Sequence, residues 1–282
     1  MQRLPSDFSS VVAEAWEHVR RAPGFLTEKE ARFLLLAAAS TPAPGAILEI
    51  GSFKGRSTVG LATIAARYGF GPVVAVDPHT APSSTDPDLE GRSSSYEEFL
   101  QTLRGAAVED AVEVHRVYSR ELATRWNRPI RLLWIDGDHT LQGAREDFRL
   151  FRPHLAPGAV VAIHDVLNAF EGPIRVFVEE ILESDDFGPV GLCGSIGWGQ
   201  YRPWEGAGRR FRRTRLRLAR RVARLVPDAP RRHELRGLSR LRYRLWRALV
   251  PNGPVDPQRW SRIVANTPPP AARSDPESRP RT

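Results

Sequence analysis

The sequence predicts an α/β protein built on a doubly wound, mostly parallel sheet. Strand and helix patterns alternate from Ala46 onward, and the strands are near-continuously apolar, as strands covered on both faces must be. Two final strand-like runs, Pro189–Cys193 and Ile196–Tyr201, are split by Gly194-Ser195 and read as an antiparallel hairpin closing that sheet.

The elements follow in order. Phe8, Val11, Val12, Ala15, Trp16 and Val19 recur at helical spacing and predict an amphipathic helix over 8–21. Pro23-Gly24 breaks it. Thr27 with Glu30 three residues on is a capping box that opens a second helix, Glu28 to Ser40. After the loop Thr41–Gly45, a strand starts at Ala46. Then come helix Arg56–Tyr68, strand Pro72–Asp77, the polar loop His79–Arg92, helix Ser94–Gly105 and strand Val112–Val117. A short helix Ser119–Trp126, strand Ile130–Asp136, helix Leu141–His154, strand Ala159–Asp165 and helix Pro173–Glu183 lead into the hairpin.

Composition narrows the class. At 282 residues and 41% hydrophobic content the chain can bury one substantial core with an extension to spare. No apolar run of about 18 residues is present, which argues against a membrane span. The N-terminus lacks the apolar segment of a secretion signal, so the expectation is a cytoplasmic protein. A single cysteine, Cys193, excludes an internal disulfide framework and reads as a small buried apolar residue. The net charge of +8 conceals a division: residues 1–208 carry −8, whereas 209–262 hold 18 arginines against Asp228, Glu234 and Asp256.

The first motif is Ile47-Leu48-Glu49-Ile50-Gly51-Ser52-Phe53-Lys54-Gly55. A buried strand that turns tightly into a helix presents backbone N–H groups and a positive helix end to a ligand. Gly51 and Gly55 permit close approach, and Glu49 sets an acid beside the turn. An ordinary strand–helix turn fits the same residues. Asp77 closes the next strand, about 20 residues on, where nucleotide-binding α/β units hold ribose hydroxyls. The second motif lies at the ends of the fourth and fifth strands: Asp136-Gly137-Asp138-His139 and His164-Asp165. Carboxylates and imidazoles clustered in this way are costly without a partner. Asp136, His164 and Asp165 could hold Mg²⁺ or another divalent cation, with His139 and Asp138 placed to take a proton nearby. A metal-free arrangement keeps His139 or His164 as a general base oriented by an aspartate.

The segments ILEIGSFKGRSTVGLA, VVAVDPH and LLWIDGDHTLQGAREDFRLFRPHLAPGAVVAIHDV together resemble class I S-adenosylmethionine-dependent methyltransferases. The branch most similar is that of macrocin-type O-methyltransferases of sugars and natural products, and the resemblance spans residues 25–203. It implies a Rossmann-like seven-stranded sheet in the order 3-2-1-4-5-7-6. It implies Glu49, Gly51, Ser52 and Gly55 at the methionine end of the cofactor, Asp77 on the ribose, and Pro78, His79 and Ser119 near the adenine. Asp136 would lie near the methyl donor, and His139 where catechol-type relatives carry a catalytic lysine. Those relatives end the fifth strand in Asp-Asp or Asp-Asn, whereas this chain has His164-Asp165, a departure that weakens the metal expectation.

The expected layout is a helical cap over 1–45, a methyltransferase domain over 46–204, a basic helical extension over 205–260 and a disordered tail over 261–282. In the extension, Phe211, Leu218, Val222 and Leu225 share one helix face, and Leu238, Leu241, Leu245, Trp246 and Leu249 share another. These stripes fit an anionic membrane surface over 209–250, peripheral at the inner membrane face, or docking on the acidic body or a second subunit. Nucleic acid fits less well. The leading function is O-methylation of a small-molecule or glycan hydroxyl. A catalytically inactive fold that binds a membrane or nucleic acid is the alternative. A nicotinamide oxidoreductase is disfavoured because the first glycine of Gly-x-Gly-x-x-Gly is missing.

Overall fold

The structure is a computed structural model that describes residues 4–81, 85–87, 89–204, 207–234 and 236–265. Helices α1 (Phe8–Arg21) and α2 (Glu28–Ser40) precede strand β1 (Ala46–Ile50), helix α3 (Arg56–Tyr68) and strand β2 (Val73–Val76). Helix α4 (Tyr96–Gly105), β3 (Val112–His115), α5 (Ser119–Ala123), β4 (Ile130–Ile135), α6 (Leu141–Phe151) and β5 (Leu155–Ile163) follow. Helix α7 (Glu171–Val176) continues as a π-helical turn, Phe177–Leu182, before β6 (Phe187–Cys193) and β7 (Ile196–Tyr201). Among the described residues, α8 (Ala207–Val222), a 3₁₀ stretch (Ala223–Glu234), α9 (Gly237–Ala248) and α10 (Pro257–Ala265) follow the hairpin.

The seven strands pair in the order β3-β2-β1-β4-β5-β7-β6. All pairings are parallel except those of β7, which runs antiparallel to both β5 and β6. The expected sheet and its closing hairpin are both present. Alternation along each strand divides the core between two faces. Leu48, Ile50, Val74, Val76, Leu133 and Ile135 pack with Phe148, Ile174 and Val222 on one side. Ile47, Val73, Ala75, Leu132 and Trp134 pack with Leu35, Val59, Phe99 and Trp260 on the other.

The capping box at Thr27 is formed as its sequence predicts, with Glu30 returning to the Thr27 backbone. Helix α8 lays its apolar stripe on the body, burying Leu218 and Val222, and Leu225 follows into the same core. Arg215 goes in with it, fully buried, donating to the Leu182 carbonyl at 3.1 Å and to Asp185 at 2.8 Å. Such a charge is tolerated only because its hydrogen bonds are supplied.

The tail differs from expectation. Residues 261–265 are not disordered but belong to α10, whose Trp260 and Val264 return to the α2 face of the sheet. Asp256 caps this helix through the Arg259 N–H at 2.7 Å. The Trp260 Nε1–H donates to Ser40 Oγ at 2.7 Å, and its ring meets Phe33 and Trp198 edge-on. A Pro/Ser-rich average masked one i, i+4 pair large enough to anchor a turn of helix. Residues 266–282 lie outside the described residues.

Trp260→Ala empties the largest part of this anchor and removes the indole donor from Ser40 Oγ, whose own O–H still donates to the Leu36 carbonyl. Chemical denaturation should show a loss of roughly 3 kcal/mol, with Trp260→Phe losing less. A loss below about 0.5 kcal/mol would mean that α10 does not support the body.

Candidate active site

The strand order reverses at β1, and a cavity of about 830 Å³ opens beyond the carboxyl ends of β1, β2, β4 and β5. Ladder-type hydrogen bonds continue past the strand ends and fix what projects there. Asp136 N–H donates to the Ile50 carbonyl at 2.8 Å, His164 N–H to Ile135 at 2.9 Å, and Asp77 N–H to His115 at 3.1 Å.

The turn after β1 requires its first glycine. Gly51 has φ +84°, and a Cβ there would lie 2.2 Å from the Asp136 carbonyl oxygen. Asp77 spans the turn: its Oδ2 accepts from the N–H groups of Ser52 and Phe53, both at 2.8 Å. Its Oδ1 accepts from His79 N–H at 2.6 Å. Gly51, Ser52, Asp77, Pro78, His79 and Ser119 all line the cavity. Gly55, at φ +87°, caps α3 outside that lining.

Glu49 departs from its expected place at the methionine end. It is fully buried beneath the turn, outside the cavity lining. It accepts from Ser57 Oγ and Thr58 Oγ1 at 2.5 Å and from Ser52 Oγ at 3.1 Å. Strand alternation turns it toward α3, like its neighbour Ile47. Burial pushes its carboxyl up to about 7, with the three hydroxyl donors opposing only in part.

His79 holds a left-handed backbone, φ +59°, and its buried ring lies 3.0 Å from Ser95 Oγ and against Tyr96 and Phe99. Burial lowers its pKa despite the nearby Asp77 charge, so it is a neutral wall at pH 7. Asp147, on α6, is a cavity residue that sequence reasoning missed. It accepts from Ser119 Oγ, and burial raises its carboxyl to about 7 against that hydrogen bond. A signal existed: Asp147 falls on the same helical face as buried Ala144, Phe148 and Phe151.

The second cluster is assembled as expected, but with changed roles. His164 Nδ1 lies 2.9 Å from Asp136 Oδ1 and 3.6 Å from Asp165 Oδ1, while its Nε2 faces Glu30 at 3.9 Å. Burial would lower the His164 pKa; the surrounding carboxylates outweigh it and raise the pKa well above the usual imidazole value. The carboxylates thus favour a protonated His164 ring at the position where the sequence suggested a metal ligand. Glu30 is ionised for the matching reason. Burial opposes its charge, but His164, Thr27 and Ser195 together hold its pKa below the usual range. Ser195 supplies two of those contacts, N–H at 2.6 Å and Oγ at 2.7 Å.

Asp138 also changes role. It lines the cavity, but it accepts from Thr140 N–H and Oγ1 at 2.8 Å and from Thr85 Oγ1 at 3.1 Å. It organises the entry to α6 rather than standing free to take a proton. His139 Nε2 lies 3.2 Å from Asp165 Oδ2 and 3.8 Å from Asp136 Oδ1, with hydrogen-bond geometry to neither. Its ring stacks on Phe170 at 4.3 Å. Burial alone would lower its pKa, and the pairing with Asp165 raises it instead. Asp165, pressed upward by burial, is held at about 2 by His139 and His164. Asp136, His139 and Asp165 bring three donor atoms within 4.8 Å of one another, so His139 takes the place of His164 in any cation site.

Glu49 yields a signed prediction. Its folded pKa of about 7 stands above the ordinary value of 4.5. Between those values the unfolded chain has released the proton while the folded chain still binds it, so stability falls as pH rises through the window. Glu49→Gln should flatten that fall by on the order of 1–3 kcal/mol between pH 4.5 and 7, read by denaturant midpoints. Parallel profiles for both proteins would show that Glu49 ionises normally.

A model described as a methyltransferase domain matches residues 48–166. Three solved structures share the fold. The O-methyltransferase NovP is 12% identical, over 69% of this chain and 98% of its own, with a TM-score of 0.54. A Corynebacterium glutamicum protein is 14% identical over 70% and 92%, at 0.52. Cofactor-bound Rv0187 from MTB is 19% identical over 71% and 90%, at 0.50. The matched segment contains the Gly51 turn, Asp77 and the acid–imidazole cluster, so the cavity is built largely from residues that match a methyltransferase domain.

Proposed function

We propose that the protein transfers a methyl group from S-adenosylmethionine to a hydroxyl of a sugar, glycolipid or secondary metabolite. The observation that carries this reading is one cavity containing the Gly51-Ser52 turn, the Asp77 carboxylate and the Asp136/His139/Asp165 cluster. The turn and Asp77 would take the amino-acid end and the ribose, with Pro78, His79, Ser119 and Asp147 around the base. NovP, an O-methyltransferase, shares the fold and so agrees with the reaction class. The N-terminal segment at Phe25–Thr27, the loop at Thr85–Pro87 and Asn168 with Phe170 also line the cavity and would bound the acceptor.

In the transfer the carbon–sulfur bond of the sulfonium breaks as a carbon–oxygen bond forms to the acceptor. The hydroxyl proton goes to His139 Nδ1, the ring nitrogen that faces neither Asp165 nor Asp136 and has no hydrogen-bond partner. Asp165 makes that imidazole more basic and stabilises the cation it becomes, as an orienting carboxylate does in other acid–imidazole pairs. His164 offsets the Asp136 charge and so tempers the basicity of His139, which the pairing with Asp165 more than restores. A divalent cation held by Asp136, His139 and Asp165 would supply a different aid, lowering the pKa of a bound hydroxyl. The unsatisfied ring nitrogens of His139 are compatible with that donor set.

Titration calorimetry should show cofactor binding that Asp77→Ala weakens at least tenfold, through loss of the turn's support and of ribose contacts. His139→Ala should keep cofactor binding and lower turnover roughly 10²- to 10⁴-fold. Mass spectrometry of an acceptor gaining one methyl group completes the test. A chain that binds no cofactor, or variants indistinguishable from wild type, would sink the proposal. Turnover that survives a chelator assigns the proton transfer to His139 alone. Turnover lost in chelator and restored by Mg²⁺ assigns the three donors to a cation.

A further inference from the structure

Among the described residues, five large apolar side chains stand more than half exposed: Phe25 at 75%, Leu238 at 84%, Leu241 at 64%, Leu245 at 56% and Leu249 at 51%. The four leucines are spaced three and four residues apart along α9 and its C-cap. At about 100° per residue they fall within an arc of about 80°. Arg242 flanks this stripe on one side and Arg244 on the other. The opposite face fastens the helix to the body through buried Tyr243 and Val250 and half-buried Trp246. Arg242 ties it further to Asp228. α9 is thus held firmly while its leucines point away from the core.

The surroundings limit what can cover the stripe. No acidic residue occurs between Glu234 and Asp256. Residues 266–282 contain no leucine, isoleucine, valine or aromatic residue, so they have no apolar side chains larger than alanine or proline to lay on it. Leucines edged on both sides by arginines match an anionic lipid surface, with acyl chains for the stripe and phosphates for the guanidiniums. Its position is equally informative. Arg247, about 160° around the same helix from the middle of the stripe, lines the active-site cavity and donates to Asn168 Oδ1 at 3.4 Å, so α9 separates the stripe from the cavity by its own width. Exposed Phe25 lines that cavity too.

We propose that α9 seats the protein on an anionic lipid surface with the active-site mouth beside it, and that the acceptor is a hydroxyl carried on a lipid-anchored molecule. The second half rests on the methyl-transfer reading above; the first does not.

The full chain should co-sediment with vesicles of phosphatidylglycerol and phosphatidylcholine at least tenfold more than with phosphatidylcholine alone. Leu241→Glu with Leu245→Glu should abolish that binding. These positions are exposed, so thermal midpoint and cofactor binding should stay as in wild type. Absence of vesicle binding, or binding indifferent to the leucine changes, overturns the lipid seat. So does a wild-type dimer that the double variant dissolves, because the stripe is then an interface between copies. Tighter, leucine-independent binding to a DNA duplex also overturns it. For the acceptor, methyl-labelled cofactor is incubated with separate lipid and aqueous extracts. Label entering the lipid fraction supports the lipid-borne hydroxyl. Label only in the aqueous fraction, or in neither while cofactor binding is intact, overturns it. Failure of cofactor binding itself would count against methyl transfer, and the vesicle result would stand apart from it.

Discussion

The buried charge on His164 is the constraint on which the rest of the site depends. An imidazolium in the interior is costly unless carboxylates surround it. Here Asp136, Asp165 and Glu30 do so, from the ends of β4 and β5 and from the first turn of α2. Glu30 in turn needs Thr27 and Ser195, which bind it from the N-terminal loop and the β6–β7 hairpin. Four separated segments are thereby locked at one point. Removing one carboxylate would leave the ring under-compensated, and breaking a buried pair of this kind typically costs about 3–5 kcal/mol. The N-terminal helices are part of the site on this account, because a cap residue of α2 sets the charge state of a ring beside the reacting groups.

That locking also explains why the two imidazoles differ. His164 has carboxylates on both ring edges. His139 lies against Phe170 and shares only Asp165 closely. Each ring is raised in pKa, and both ring nitrogens of His139 and the Nε2 of His164 lack a hydrogen-bond partner, but of the two rings His139 is the one whose donor atom converges with Asp136 and Asp165. Under the proposed transfer, the two histidines on neighbouring loops divide into a charge-holder and a proton acceptor.

Much of this was legible in sequence, for identifiable reasons. Strand ends and glycine turns are written in local patterns, and so the Gly51 turn, Asp77 and the Asp136–Asp165 cluster could be found. Whatever depends on side-chain direction was harder to read. Glu49 lies on the right strand and Asp138 in the right loop, but one faces α3 and the other folds onto its own helix start. Glu30 was visible as a capping residue, and its second oxygen, spent on Ser195 at a separation of 165 residues, was not. Asp147 was hidden because an acid on an amphipathic helix is usually assigned to solvent.

The basic extension shows the same limit at the scale of whole helices. α8 and α9 have nearly the same composition, arginines around one apolar stripe, and nothing local distinguishes them. α8 turns its stripe inward and even buries Arg215, because the Leu182 carbonyl and Asp185 are there to receive the guanidinium. α9 is fastened by Tyr243, Trp246 and Val250, a face well over a quarter-turn from its leucines, so the strongest apolar stripe stays outside. Had the body offered α9 a groove, the leucines would have filled it, since each buried leucine is worth about 1.5–3 kcal/mol. An exposed stripe of that worth, held rigidly beside the cavity mouth, has its free energy of burial left to contribute to an encounter with another surface.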